Sequence, residues 1–269
     1  MLQKYKAYIF DLDGTIYLGE TVIAGALEVV QALQKQGKKI LFLTNKTIES
    51  RQKYVEKLNH FGMNITEEQV LSPTYTTMQY LREKKLDQLP LYIIGEDLIK
   101  EEFRQSGFHL AQTPQETKVV IVSWDRSFRY EHIDFAYQAV RHGALTIATN
   151  PDRTCPIPGG EIPDCGSMIG ALEGATGKGI DFIIGKPSVY TLQVATQVLG
   201  VEETACLMIG DRLETDILMG AHSGMDTALV LTGVTKQEDI LRSGIQPTYV
   251  FTSISDLLQP IRKINKPSV

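Results

Sequence analysis

Ala7-Tyr8-Ile9-Phe10 runs straight into Asp11-Leu12-Asp13-Gly14-Thr15, so four apolar residues meet two carboxylates, a glycine and a threonine. An apolar run this short, bounded by turn chemistry, predicts a strand buried on both faces. In an open parallel sheet ligands bind at the carboxyl ends of the strands, and this strand would carry Asp11 and Asp13 to that edge. If the pleat lasts through Asp13, both side chains point to one side; if it ends earlier, the second can swing towards the ligand of the first. Two carboxylates so close repel unless a cation or a proton sits between them, which predicts a divalent metal. An isolated Asp-Gly is more often a hairpin turn. The functional reading therefore depends on what ends the later strands.

The rest of the chain repeats strand and helix. Ile16–Ile23 predicts a small hairpin, and a helix over 24–36 stops at Gly37. Ile40–Leu43 predicts the next buried strand, with a helix over 50–60 behind it. Further strands are expected at 91–95, 119–123 and 145–150, each followed by a helix or a loop, with helices over 97–106, 130–142 and 167–176. A proline- and glycine-dense loop is expected over 151–166. The pattern resumes with strands at 182–185, 206–210 and 227–231 and helices over 188–199 and 215–223. Tyr249–Phe251 and 253–258 add an edge strand and a terminal helix. The rhythm predicts an α/β fold with a doubly wound parallel sheet and an inserted α/β domain. The core is expected over 1–78 and 181–269, and the insertion over 79–180.

With 43% hydrophobic residues among 269, the chain has material for one large or two medium domains,. A formal net charge of −5 without a basic block gives no surface for tracking a nucleic-acid backbone,. No apolar run approaches the roughly 20 residues of a membrane span, and Met1–Lys6 lacks a signal-peptide apolar region. Cys155, Cys165 and Cys206 form no Cys-x-x-Cys pair and have no histidine at zinc-ligand spacing, so a reducing, cytoplasmic setting is expected. Gly174–Gly179 has the glycines of a phosphate loop, but Leu172 stands where the first glycine should and no Ser or Thr follows Lys178.

Several expected strands end in chemistry. Thr44-Asn45 ends the second, Lys186 ends a later one, and Gly210-Asp211 through Asp216 follows another. Each has a plain alternative: a helix cap for Thr44-Asn45 and Asp216, a solvated loop lysine for Lys186. Their joint occurrence, in order and each at a strand end, favours function. Carboxylates, a hydroxyl, amide donors and an ammonium at one sheet edge suit phosphoryl transfer assisted by a metal. Ser123-Trp124-Asp125-Arg126 and Thr149-Asn150-Pro151-Asp152-Arg153 also end strands. An arginine there would suit an anionic substrate and an aspartate sugar hydroxyls, while ordinary exposed loops are the alternative.

These four motifs, Asp11–Thr15, Thr44-Asn45, Lys186 and Gly210–Asp216, resemble those of the haloacid dehalogenase superfamily of aspartate-nucleophile phosphatases. The long insertion between Thr44 and Lys186 is similar to the type II cap of the NagD-like subgroup, while Lys46 stands where many relatives have a second asparagine. The resemblance implies that Asp11 attacks phosphorus and that Asp13 protonates the leaving oxygen and then activates water. It implies Mg2+ held by Asp11, the Asp13 carbonyl and Asp211, with Asp216 binding it directly or orienting a metal water or Lys186. Thr44 and Asn45 would hold phosphate oxygens, and Lys186 would neutralise phosphate and nucleophile. The expected activity is hydrolysis of small phosphorylated metabolites such as sugar phosphates, nucleoside monophosphates and p-nitrophenyl phosphate. A phosphomutase or phosphotransferase using the same aspartyl phosphate, and a non-catalytic binding protein on this fold, are the alternatives. The expected partners are the small substrate and a second copy of the chain, meeting through the cap, with neither nucleic acid nor membrane.

Overall fold

Apolar runs alternating with amphipathic segments are buried together when helices stack on the faces of a sheet, and the chain does this twice. The computed structural model describes residues 3–157 and 159–259. The ends of the expected core, 1–2 and 260–269, and Pro158 of the expected loop lie outside the described residues. One compact unit comprises the chain up to Thr44, Arg51–Leu71 and the chain from Val189; the other comprises Asn45–Ser50 and Ser72–Ser188.

The first unit is built on six parallel strands in the order Tyr249–Phe251, Asp226–Val230, Cys206–Gly210, Ala7–Asp11, Lys39–Leu43 and Val70–Leu71. Alternation sends Tyr8 and Phe10 to one face, where they pack with Phe42, Ile209 and the Val29, Val30 and Leu33 stripe of helix Ala26–Lys35. Ile9, Leu41 and Met208, side by side in register, are equally buried. Both faces are thus covered, which explains why these strands read as continuous apolar runs. The chain adds Lys39–Leu43 on one side of the first strand and Cys206–Gly210 on the other. The order reverses there, so a ligand crevice is expected outside the carboxyl end of Ala7–Asp11.

The second unit has four parallel strands in the order Phe182–Ile183, Leu145–Ala148, Val119–Val122 and Leu91–Ile94. Val120, Val122, Ala136, Ala139, Met168 and Leu172 form its core with helices Tyr130–Arg141 and Cys165–Thr176. This unit is wider than the 79–180 expected of the insertion. Helix Pro73–Glu83, which crosses the expected boundary at 78, belongs to it: Ser72 Oγ accepts the Tyr75 N–H at 3.3 Å, and Pro73 fills the first turn,.

Other differences are local. The expected loop over 151–166 contains an antiparallel hairpin, Thr154–Ile157 with Gly160–Pro163. The expected terminal helix is a 3-10 turn, Ile254–Leu258, and the segment after Asp211 opens as a π-helical turn, Leu213–Ile217, before helix Leu218–Ser223. Helix Gln237–Ser243 and edge strand Val70–Leu71 were not anticipated. No helix among the described residues is long and apolar enough to cross a membrane.

A polar clasp ties the chain start to the two outer strands of the first sheet. Lys4 Nζ donates to Asp226 Oδ2 at 2.7 Å and to the Tyr249 hydroxyl at 2.8 Å, and the Tyr5 hydroxyl donates to Asp226 Oδ2 at 2.5 Å. Partial burial works against the Asp226 charge, but the Lys4 and Tyr5 hydrogen bonds outweigh it and hold the carboxyl below its ordinary value. A carboxyl depressed in this way contributes stability present above its unfolded pKa of about 3.9 and lost as pH falls through the folded value. Asp226→Asn is therefore expected to lower the melting temperature by about 2–4 °C near neutral pH. The gap should close below about pH 4 in circular dichroism melts; a gap that ignores pH would remove the charge from this account.

Candidate active site

The first strand ends at Asp11, and the chain turns at once: the Ile16 N–H donates to Leu12 O at 2.8 Å and the Gly14 N–H to Tyr17 O at 2.8 Å. The pleat therefore stops before Asp13, which takes the second of the two geometries left open by the sequence. Asp211 follows the neighbouring strand Cys206–Gly210, so sheet register brings it to the same edge. Asp216 arrives from the π-helical turn. Gly210 makes this possible, because the Asp216 side chain occupies the space that a Cβ at 210 would fill, and Asp216 Oδ2 accepts the Arg212 N–H at 3.2 Å.

One carboxylate oxygen from each of Asp11, Asp211 and Asp216 lies within 4.8 Å of the other two, and all three residues are buried. At that separation each pair of charges repels by about 3–4 kcal/mol for an effective dielectric constant near 20. Three such pairs exceed a large share of an ordinary domain's stability, about 5–15 kcal/mol, so positive charge must answer them. The donors are hard oxygens, which suit Mg2+, Mn2+ or Ca2+ rather than a soft metal. The set fits a divalent cation.

A loop after strand Asp226–Val230 braces this group. The Val234 N–H donates to Asp211 Oδ2 at 2.6 Å, the Thr235 N–H to Asp211 O at 3.2 Å, and Thr232 Oγ1 to Gly14 O at 2.6 Å. Gly14, at φ 87°, lies so close that a Cβ would stand 2.6 Å from Asp211 Oδ2, and a Cβ on Gly233 would overlap the same carboxylate. In the sequence, the only sign of Thr232-Gly233-Val234 is a glycine shortly after an apolar strand,.

The remaining expected residues divide between the units. Asp13 contributes no carboxylate to the acidic group, its expected role there being through its carbonyl. Thr44 is buried at the end of Lys39–Leu43, its N–H on Leu71 O at 3.2 Å, in the unit that holds the acids. Asn45 and Lys186 lie in the second unit, both buried and bonded to each other: Asn45 Nδ2 donates to Lys186 O at 3.0 Å and the Lys186 N–H to Asn45 Oδ1 at 2.9 Å. Of the strand-end candidates in the insertion, Asp125 accepts from Ser127 N–H and Oγ and sits 3.1 Å from His132 Nδ1. Arg126 is paired to Glu96, whose hydrogen bonds raise its pKa. Asp152 Oδ1 accepts from Asn45 Nδ2 at 3.2 Å, and Arg153 is exposed. Burial pushes the Cys165 thiol up to about 12, which removes it as a nucleophile,.

This architecture recurs in known proteins. A family profile described as haloacid dehalogenase-like hydrolase matches residues 8–109, and a second, HAD-hydrolase-like, matches 183–257. The 5'-nucleotidase YutF of Bacillus subtilis is 37% identical over 255 residues, covering 95% of this chain and 98% of its own. The chain belongs to the haloacid dehalogenase-like hydrolases. Among solved members, the p-nitrophenyl phosphatase from Archaeoglobus fulgidus superposes with a TM-score of 0.90 at 35% identity, covering 96% of this chain and 100% of its own. NagD from E. coli K-12 superposes at 0.85 with 27% identity, covering 94% and 98%.

Were the three acids to share a cation, a small shift of one of them would be costly. Gly233→Ala forces the Asp211 carboxylate to move, and affinity for a divalent cation such as Mg2+ at this group would then fall about 10–100-fold, as calorimetric titration of the metal would show. An unchanged dissociation constant in a folded variant would mean that the loop does not hold Asp211 in place.

Proposed function

We propose that the protein is a magnesium-dependent phosphatase that hydrolyses small phosphorylated metabolites through an aspartyl phosphate on Asp11. Sugar phosphates, nucleoside monophosphates and p-nitrophenyl phosphate are its substrate class. The observation that carries the reading is the buried group of Asp11, Asp211 and Asp216 at the carboxyl edge of a parallel sheet, at the point where strand order reverses,. The names of the similar proteins support the substrate class: a 5'-nucleotidase and a p-nitrophenyl phosphatase.

In this reading Asp11, Asp211 and Asp216 would hold the cation together with the Asp13 carbonyl. The bound cation supplies charge neutralisation for the crowded carboxylates and for the phosphate. The Asp11 carboxylate attacks phosphorus in line and the bond to the leaving oxygen breaks, with Asp13 giving that oxygen its proton. Asp13, now a carboxylate, takes a proton from water; the hydroxide displaces Asp11 from phosphorus and inorganic phosphate leaves. Thr44, the Asn45 main-chain N–H and the Lys186 ammonium answer the phosphate charge, and little else is needed from the protein for this chemistry. Cys155, Cys165 and Cys206 form no disulfide among the described residues, which supports a cytoplasmic setting for the enzyme.

Asp11→Asn is expected to lower kcat on p-nitrophenyl phosphate at least about a thousand-fold, with the fold intact by circular dichroism. Chelation should abolish turnover and added Mg2+ restore it. Released phosphate should match released alcohol even with glycerol present. Transfer to glycerol in preference to water would make the enzyme a phosphotransferase, and full activity in Asp11→Asn would end the reading.

A further inference from the structure

The Asn45 side chain is wholly occupied inside the second unit. Its Nδ2 donates to Lys186 O at 3.0 Å and Asp152 Oδ1 at 3.2 Å, and its Oδ1 accepts the Lys186 N–H at 2.9 Å. One carboxamide thus grips both the N–H and the carbonyl of a single residue, which leaves that stretch of main chain one orientation. The grip is itself held. Asn150, with no exposed surface, donates from Nδ2 to Asn45 O at 2.8 Å and accepts the Asp152 N–H on Oδ1 at 2.9 Å. Gly185 closes the assembly: a Cβ there would stand 2.5 Å from Thr149 O, 2.7 Å from Asn45 Oδ1 and 3.0 Å from Asn150 Cβ. Buried amides this fully paired are expensive to disturb, since each lost partner leaves a polar group without water.

We propose that Asn45, Asn150 and Gly185 form a clamp on the main chain of Lys186, so that the Asn45 side chain positions the lysine rather than binding phosphate. Asn150, contributed by the insertion, is then a positioning residue for the reaction. This rests on the phosphatase reading, in which the Lys186 ammonium serves the phosphate. A displaced ammonium weakens that service in the ground state and in the transition state alike.

The test is a double-mutant cycle on p-nitrophenyl phosphate, with inorganic phosphate as inhibitor. Asn150→Ala is expected to lower kcat/KM about 10–100-fold and to raise the inhibition constant of phosphate, while calorimetric magnesium affinity stays within about twofold. In a Lys186→Ala background the same substitution should change kcat/KM by less than about twofold, because the group it positions is gone. A role in stability alone would lower the melting temperature and leave kcat/KM per folded molecule unchanged, and that result overturns the clamp. So does an equal loss in both backgrounds. If Asn150→Ala does not fold, Asn45→Asp keeps the acceptor for the Lys186 N–H, loses both donors and should show the same non-additivity. A Lys186→Ala variant as active as the parent would overturn the phosphate role of Lys186 and the clamp with it; a crippled Lys186→Ala with additive Asn150→Ala overturns the clamp alone.

Discussion

Mutual repulsion among three buried carboxylates is the constraint around which the first unit is arranged. Asp11, Asp211 and Asp216 have oxygens within 4.8 Å of one another, and without positive charge nearby their like charges push one another apart. Holding them in place before the cation arrives requires a frame that does not yield. Strands Ala7–Asp11 and Cys206–Gly210, buried on both faces and in direct register, supply that frame for two of the acids. Close-packed interiors resist such displacements strongly, so a positive ion placed among the acids would relieve a repulsion that the sheet edge cannot relax by moving.

The glycines near the site follow from the same crowding. Gly14, Gly210 and Gly233 each stand where a Cβ would meet an Asp211 or Asp216 side chain. Only at Gly14, with φ 87°, does the backbone conformation itself also favour glycine,. At the other two the requirement is space: main chain must approach a carboxylate closely enough for its N–H groups to serve it, as Val234 does for Asp211 and Arg212 for Asp216. Backbone donors suit this role because they cannot rotate away and carry no charge that would compete with a cation for the acids.

Strand-end logic was legible from residue type; the use made of each strand end was not. In the second unit Ser123 and Thr149-Asn150 end parallel strands just as Asp11 and Asp211 do in the first. There the polar groups satisfy one another: Ser123 Oγ lies 2.9 Å from Thr47 Oγ1 and accepts from Thr149 Oγ1 at 3.1 Å. A sequence shows donors and acceptors, while their partners depend on tertiary contact, so Asp125 facing His132 and Asp152 on Asn45 were beyond reach. Helix Pro73–Glu83 escaped for a related reason. Thr74, Thr76 and Thr77 lower its intrinsic propensity, and burial against the unit overrides that preference. The hairpin over 154–163 carries Pro156 and Pro163, tolerated because a two-stranded ribbon is all edge,.

The kind of ion the acids can take follows from what the fold keeps away from them. Cys206 opens the strand that Asp211 follows, and four residues at about 3.3 Å each put it roughly 13 Å from Gly210 along the strand,. Among the described residues no histidine or cysteine joins the acidic group. The set is therefore all oxygen, and thiolate- or imidazole-seeking ions lose the ligands that would favour them. A hard cation in such a set keeps positions open for further oxygen donors, because few protein ligands reach it. Phosphate esters present hard, anionic oxygens, and that match of ligand chemistry links three aspartates from one sheet edge to the substrate class.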